Sequence, residues 1–260
     1  MSYIVTVQRG RAHHIQQRFF PDKSTNVVSK RLRKLVLGGY IKSVRRGFAD
    51  EQFHKLGDRA AHLLDDERLV IPRRLPVHMS HFANINWVRL ALDEERRLHG
   101  LQLQGFWSES ELKTVGHDWR VVPDGVAVVG VEDAITYLAI EVDEGTENPR
   151  TVSEKLNQYR DSVRGVGFDA VLIYAVGWPR IRSLVRVLFD WDWSRGPAAF
   201  IGDVTQLHRR TTEPHQLING PELHNDKPSL VTVGQAIGCP DRVSPRQDSK
   251  RTSSHCNNET

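Results

Sequence analysis

The chain has 260 residues, 39% of them apolar, and a formal charge of +4. That is length enough for one large core or two smaller ones. There is no run of about 18 apolar residues to span a membrane, and the opening residues lack the apolar stretch of a secretory signal. Two cysteines, Cys239 and Cys256, make neither a disulfide framework nor a zinc quartet, so a cytoplasmic location is the expectation.

The charge is unevenly placed. Residues 1–62 carry 13 Lys and Arg against 4 Asp and Glu, whereas residues 101–205 carry 10 against 16. A basic first part suits contact with phosphates. The acidic second part does not suit a non-specific DNA clamp unless metal ions offset its carboxylates.

In chain order, residues 13–20 read as a short helix, and Pro21-Asp22-Lys23 as a turn. Ser24 is a candidate N-cap for a helix that runs to Leu37 and ends at Gly38-Gly39. Val28, Leu32, Leu35 and Val36 form its apolar stripe, and Asn26, Lys30, Arg33 and Lys34 fall on another face. Residues 40–45 and 52–56 alternate as the strands of a hairpin, and residues 57–64 start another helix. Helix, turn, basic helix and hairpin is the order of a winged helix-turn-helix, expected over residues 1–76. A basic helix of this size fits the major groove. Asn26, Lys30, Arg31, Arg33 and Lys34 are therefore candidate contacts to double-stranded DNA, with Arg45 and Arg46 at the wing tip. The plainer reading is a solvated basic helix in a small helical domain.

Residues 77–100 read as a linking helix, with Phe82, Ile85, Val88 and Leu92 at helical spacing. His78 and His81 invite a reading as a metal pair, but no third ligand lies nearby in sequence, and packing between two domains accounts better for the helix.

Residues 101–204 alternate strands and helices: a strand at 101–107, a short helix at 108–115, strands at 126–129 and 135–141, a helix at 149–163, a strand at 170–176, a helix at 179–189 and a short strand at 198–202. Asp124 follows Pro123 ahead of one strand, and Glu141 and Asp143 end the next. Residues two apart on a strand face the same side, so Glu141 and Asp143 can point together toward Asp124. Three carboxylates make a hard-oxygen site for Mg2+ or Mn2+, and such an ion activates water against a phosphodiester. On the following helix Lys155, Gln158 and Tyr159 share a face. Residues 205–260, rich in Pro, Ser, Thr, Asn and His, read as a disordered tail.

The runs Pro123-Asp124-Gly125, Ala139 through Glu147 and Lys155 through Arg160 resemble the replication-relaxation family of plasmid and mobile-element proteins. So do Phe19-Phe20-Pro21, Lys30 through Val36 and Gly39-Tyr40-Ile41, and the helix bearing His81, Asn84, Val88 and Leu92. The resemblance implies a restriction-endonuclease-like, or PD-(D/E)xK, α/β domain behind the winged helix, in a mixed α+β or α/β chain. It matches Asp124 and Glu141 to the two metal-binding acids. Asp143 stands where that pattern has lysine, so Lys155 becomes the candidate ammonium, with Gln158 beside it.

Two functions follow as expectations. One is a metal-dependent DNA nuclease of plasmid replication or mobilisation, with Asp124, Glu141 and Asp143 on the ion and Lys155 at the phosphate. The other is a non-catalytic DNA-binding regulator or replication accessory factor whose nuclease-like domain is degenerate. Plasmid replication proteins and a second copy of the chain are the further partners expected.

Overall fold

The computed structural model describes residues 9–45, 52–64, 78–99, 101–115, 121–131, 134–162, 167–189, 197–208, 216–219 and 230–232. A short strand, β1 (Arg9–Arg11), leads into helices α1 (Ala12–Phe19) and α2 (Thr25–Leu37). The strands β2 (Ile41–Val44) and β3 (Phe53–Leu56) and the helix α3 (Asp58–Leu64) follow. The three strands pair antiparallel in the order β1-β3-β2.

Local chemistry explains the bounds of α2. The Ser24 carbonyl accepts the first helical N–H groups, from Val27 and Val28. Its hydroxyl, expected to cap the helix, makes no capping bond. At the other end Gly39 adopts φ 74°, a conformation that glycine reaches without a Cβ penalty, and its N–H closes on the Val36 carbonyl. Val28 and Leu32 are buried, and Val36 packs against the core. Leu35, expected in that stripe, is 37% exposed. It lies a turn nearly past Leu32 at the helix end, where the core reaches Val36 instead.

Among the described residues the second sheet has seven strands, in the order β10 (Leu230–Thr232), β9 (Gln216–Asn219), β8 (Ala198–Asp203), β7 (Ala170–Ala175), β6 (Ala134–Asp143), β5 (Gly125–Val131) and β4 (Gln102–Ser108). The long helix α4 (Met79–His99) precedes β4 (Gln102–Ser108), and a short helix, α5 (Glu109–Val115), leads to β5 (Gly125–Val131) and β6 (Ala134–Asp143). These three strands form an antiparallel meander. Helix α6 (Pro149–Ser162) then crosses to β7 (Ala170–Ala175), and α7 (Trp178–Phe189) to β8 (Ala198–Asp203), both in parallel register. The molecule is thus a mixed α+β structure.

Alternation along the strands sorts the two faces. Leu138, Ile140 and Val142 share one core with Trp87, Val88 and Leu92 of α4. Ala139 turns to the other core, with Leu156 of α6 and Leu184 of α7, and Glu141 and Asp143 follow its alternation. The first core also takes in Ile15, Val28 and Leu32, so a single apolar network runs from the N-terminal helices through α4 to the sheet.

The expectation of a disordered tail from residue 205 is corrected in part. A short helix, α8 (Val204–Leu207), follows β8, then β9 (Gln216–Asn219) pairs with β8 and β10 (Leu230–Thr232) with β9. Edge strand β8 offers unpaired N–H and C=O groups that a further strand satisfies. Leu217 is fully buried, and a Cβ at Gly202 would stand 2.9 Å from it and 2.7 Å from the Tyr174 ring. The rest of that segment lies outside the described residues, as do Arg46, Trp191 and Trp193. Among the described residues no helix is long and apolar enough to cross a membrane.

Candidate functional site

At the end of β6 where it stops pairing with β5, a cleft of about 280 Å³ opens. It is lined by His78 and His81 from α4, Asp124 ahead of β5, and Glu141 to Glu144 at the end of β6. Thr146 and Glu147 line it from the next loop, and Lys155 and Tyr159 from α6. The strand register accounts for the convergence. Gly125 pairs with Ile140, so Asp124 falls beside Glu141, and one Asp124 oxygen accepts the Val142 N–H at 2.8 Å.

Each acid has its own partner. His81 Nε2 lies 3.0 Å from Asp124 Oδ1. Lys155 Nζ lies 2.5 Å from Glu141 Oε2, and the Tyr159 hydroxyl donates to the other Glu141 oxygen. Arg180, in the first turn of α7, donates twice to Asp143, at 2.9 and 2.5 Å. Asp143 also accepts the Gly145 N–H at 2.6 Å. Glu144 accepts from Ser80 at 3.1 Å and from Asn84 at 2.8 Å, both on α4.

Burial and charge then set the protonation. Burial pushes the Glu141 carboxyl up to about 7, with the Lys155 ammonium opposing and the Asp124 charge reinforcing it. Burial pulls Asp124 up as well, but the hydrogen bond and charge of His81, the Val142 N–H and Lys155 outweigh it and hold the group below its usual value. Burial lowers His81, yet the Asp124 hydrogen bond and charge, with Glu144 and Glu109, leave it raised. Lys155 is raised in the same way: Glu141 prevails over desolvation. A strongly shifted carboxyl in an open cleft beside a lysine marks a candidate for chemistry.

Asp124, Glu141 and Lys155, expected from the sequence, are therefore in one cleft. Asp143 is on its rim but is committed to Arg180. Gln158 is exposed and does not line the cleft, and the residue that turns inward from that face is Tyr159. Among the described residues no three His, Cys, Asp or Glu side chains are grouped to hold an ion. Asp124 and Glu141 bring two carboxylates, the donor type that a hard cation takes, to one cleft, while Asp143 is held by Arg180. Ser80, Asn84 and Arg180 are site neighbours that sequence reasoning missed, and His81, set aside there as half of a metal pair, is the partner of Asp124. Each reaches its partner over a long sequence separation, and only the charge of Arg180 was a local signal.

On the N-terminal side Asn26, Lys30, Arg31, Arg33 and Lys34 are all exposed on α2, opposite buried Val28 and Leu32. The Arg31 guanidinium lies over the Phe20 ring, 4.8 Å from its centroid. Arg45 is exposed just after β2.

The described residues thus form a mixed sheet with helices on both faces and an acid–lysine cleft beside the β5–β6 hairpin. The chain belongs to the replication-relaxation family, whose model matches residues 7–170. That span includes α2, α4 and the cleft acids, and it ends as β7 begins. No curated protein matches the sequence. Among solved structures, the restriction endonuclease FokI is similar with a TM-score of 0.30 and 11% identity, over 79% of this chain and 41% of that one. FokI bound to DNA gives a TM-score of 0.28 and 11% identity, over 79% and 42%. The chain thus spans about two-fifths of the FokI length.

Proposed function

We propose that the protein binds double-stranded DNA in plasmid replication or mobilisation and presents its cleft to a phosphodiester. Residues 1–76 act as a winged helix-turn-helix, with α2 in the major groove and the β2–β3 hairpin as the wing. Residues 101–204 act as a restriction-endonuclease-like domain. The observation that carries this reading is the exposed row Asn26, Lys30, Arg33 and Lys34 on a helix whose opposite face is core. An exposed face that carries four polar or basic groups matches phosphates and base edges.

In the cleft Asp124 and Glu141 would hold Mg2+ or Mn2+, which supplies Lewis-acid charge at a phosphate. Lys155, now on Glu141, has the charge to steady the developing phosphate negative charge. Tyr159 keeps Glu141 oriented through its hydroxyl. Supercoiled plasmid incubated with Mn2+ and either the wild type or Glu141→Ala tests the reading. Relaxed or linear product from the wild type alone is expected.

A second reading rests on the Arg180 clamp. With Asp143 neutralised and no lysine in its place, the domain serves as a non-catalytic module of a replication accessory factor, docking to other plasmid replication proteins or to a second copy. Plasmid retarded on a gel but never cut supports it.

A further inference from the structure

We propose that the outer face of α7 is a landing surface for a short stretch of single-stranded DNA. Trp178 stacks on an unpaired base, and Arg182 and Arg186 hold the neighbouring phosphates. This does not depend on an ion in the cleft or on cleavage.

Trp178, Arg182 and Arg186 stand at i, i+4 and i+8, one stripe of the helix, and all three are exposed. Ile181, Leu184 and Leu188 fill the opposite, buried stripe. Trp178 is 59% exposed, on the side of α7 away from that core. A large aromatic left open beside two guanidiniums is the pairing that single strands use: every base has a π-face for the ring, and phosphates take the cations.

The position of the stripe ties it to the cleft. Trp178 follows Gly177, whose φ of 84° turns the chain sharply from β7 into α7. In the same turn the Val176 N–H donates to the Asp143 carbonyl at 3.1 Å. Arg180 holds the Asp143 carboxylate, and its Cδ lies 4.0 Å from where a Gly145 Cβ would be. Gly145 sits between the cleft-lining residues Glu144 and Thr146. The N-terminal end of α7, where Trp178 stands, thus lies next to the rim of the acid cleft.

Charge selects a single strand over a duplex. Residues 101–205 carry 16 acids against 10 bases, so the surroundings repel a polyanion. A duplex brings the denser charge and has its base faces already stacked. A few unpaired nucleotides bring less charge and gain a stacking contact.

The test uses the full chain carrying Lys30→Ala, Arg33→Ala and Lys34→Ala, so that the α2 face contributes nothing, with a short fluorescein-labelled oligothymidylate as the probe. Anisotropy should report binding. Trp178→Ala should weaken it about 5- to 150-fold, the range for loss of one stacked base, and Trp178→Phe should retain most of it. Arg182→Ala with Arg186→Ala should lower the log–log salt slope by about 1.4, two phosphates on a single strand. Oligothymidylate binding that survives Trp178→Ala and the double arginine variant overturns the proposal, and so does equal competition by duplex. Because the residues are exposed, unchanged melting temperatures are expected and separate lost binding from lost folding. Duplex binding that persists in the triple-alanine chain counts against the α2 assignment alone and is read apart from the α7 result.

Discussion

Arg180 meets Asp143 through two N–H···O bonds, with both side chains largely buried, 12% and 6% exposed. This fork-to-carboxylate contact engages both Asp143 oxygens. It also sets Asp143, held by an arginine, apart from Asp124 and Glu141, whose partners are His81 and Lys155.

The first prediction follows from that division. Mn2+ should raise the melting temperature of the wild type, because an ion bound to the native state stabilises it. Asp143→Asn should keep that gain, and Glu141→Ala should lose it. Scanning calorimetry with and without Mn2+ decides the matter. Loss of the gain in Asp143→Asn would return that residue to the ligand set.

Lys155 gives the second. Lys155→Ala leaves Glu141 buried beside Asp124 without its cation, a change that costs about 3 kcal/mol for a buried pair broken on one side. Removing the Lys155 cation raises the Glu141 carboxyl further above its value of about 7, so the loss should shrink as the pH falls toward about 7 and stay at its smallest below that. Chemical denaturation of both proteins at two pH values checks this. A deficit that is the same at both would mean that Glu141 does not take up the proton.

For α2 the expectation concerns salt. Lys30, Arg33 and Lys34 changed together to alanine should lower the log–log slope for duplex DNA by about 2.7, three phosphates at the B-DNA value. Titrations at several salt concentrations measure it, and an unaltered slope would remove these residues from the interface.

Leu217 tests the added strand. It is fully buried beneath β8 although it lies in a stretch of polar composition. Leu217→Ala should cost about 3 kcal/mol in denaturant unfolding, in the range for a buried leucine. A change within error would mean that β9 contributes nothing to the core.

His14 supplies a pH dependence away from the cleft. It is fully buried, and desolvation first, then the positive surroundings of His13, Arg11 and His208, hold it well below the ordinary histidine value. Its ring also meets Trp87 edge-on. The unfolded chain takes up a proton near pH 6.5 that the folded chain refuses. The contribution of His14 is therefore complete above about pH 6.5 and is lost as the pH falls from there toward the folded-state value. Melting temperatures from about pH 8 to about pH 5 should fall less steeply in His14→Gln than in the wild type. Equal slopes would show that His14 is not the group responsible.

The helices and the strands of the larger sheet through β8 were legible within a residue or two because their periodicity is strong. Val28 and Leu32 mark α2, and the apolar run before Glu141 marks β6. Asp124, Glu141 and Lys155 were legible because acids at a strand end and a lysine on the next helix are local signals. The partners were not. Nothing near His81 in sequence points to Asp124, and the contact exists because α4 crosses one face of the sheet and its first turns reach the end of β5 and β6. Gln158 and Tyr159 are adjacent on one helix, and which of them turns inward depends on how Val152 and Leu156 seat α6. Strand β9 has four residues, too few for alternation to stand out.

Helix α4 gives Trp87 to the rings of His13 and His14, Arg18 its salt-bridge partner in Asp93, and the cleft its His81, Ser80 and Asn84. A helix that belongs to both ends of a chain makes them poor candidates for exchange. A front portion transplanted without α4 would bring a Trp87 socket with no ring to fill it, and one transplanted with α4 would take His81, Ser80 and Asn84 away from the cleft. The two portions are therefore bound to change in concert, each substitution on one flank of α4 restricting what the other flank can accept.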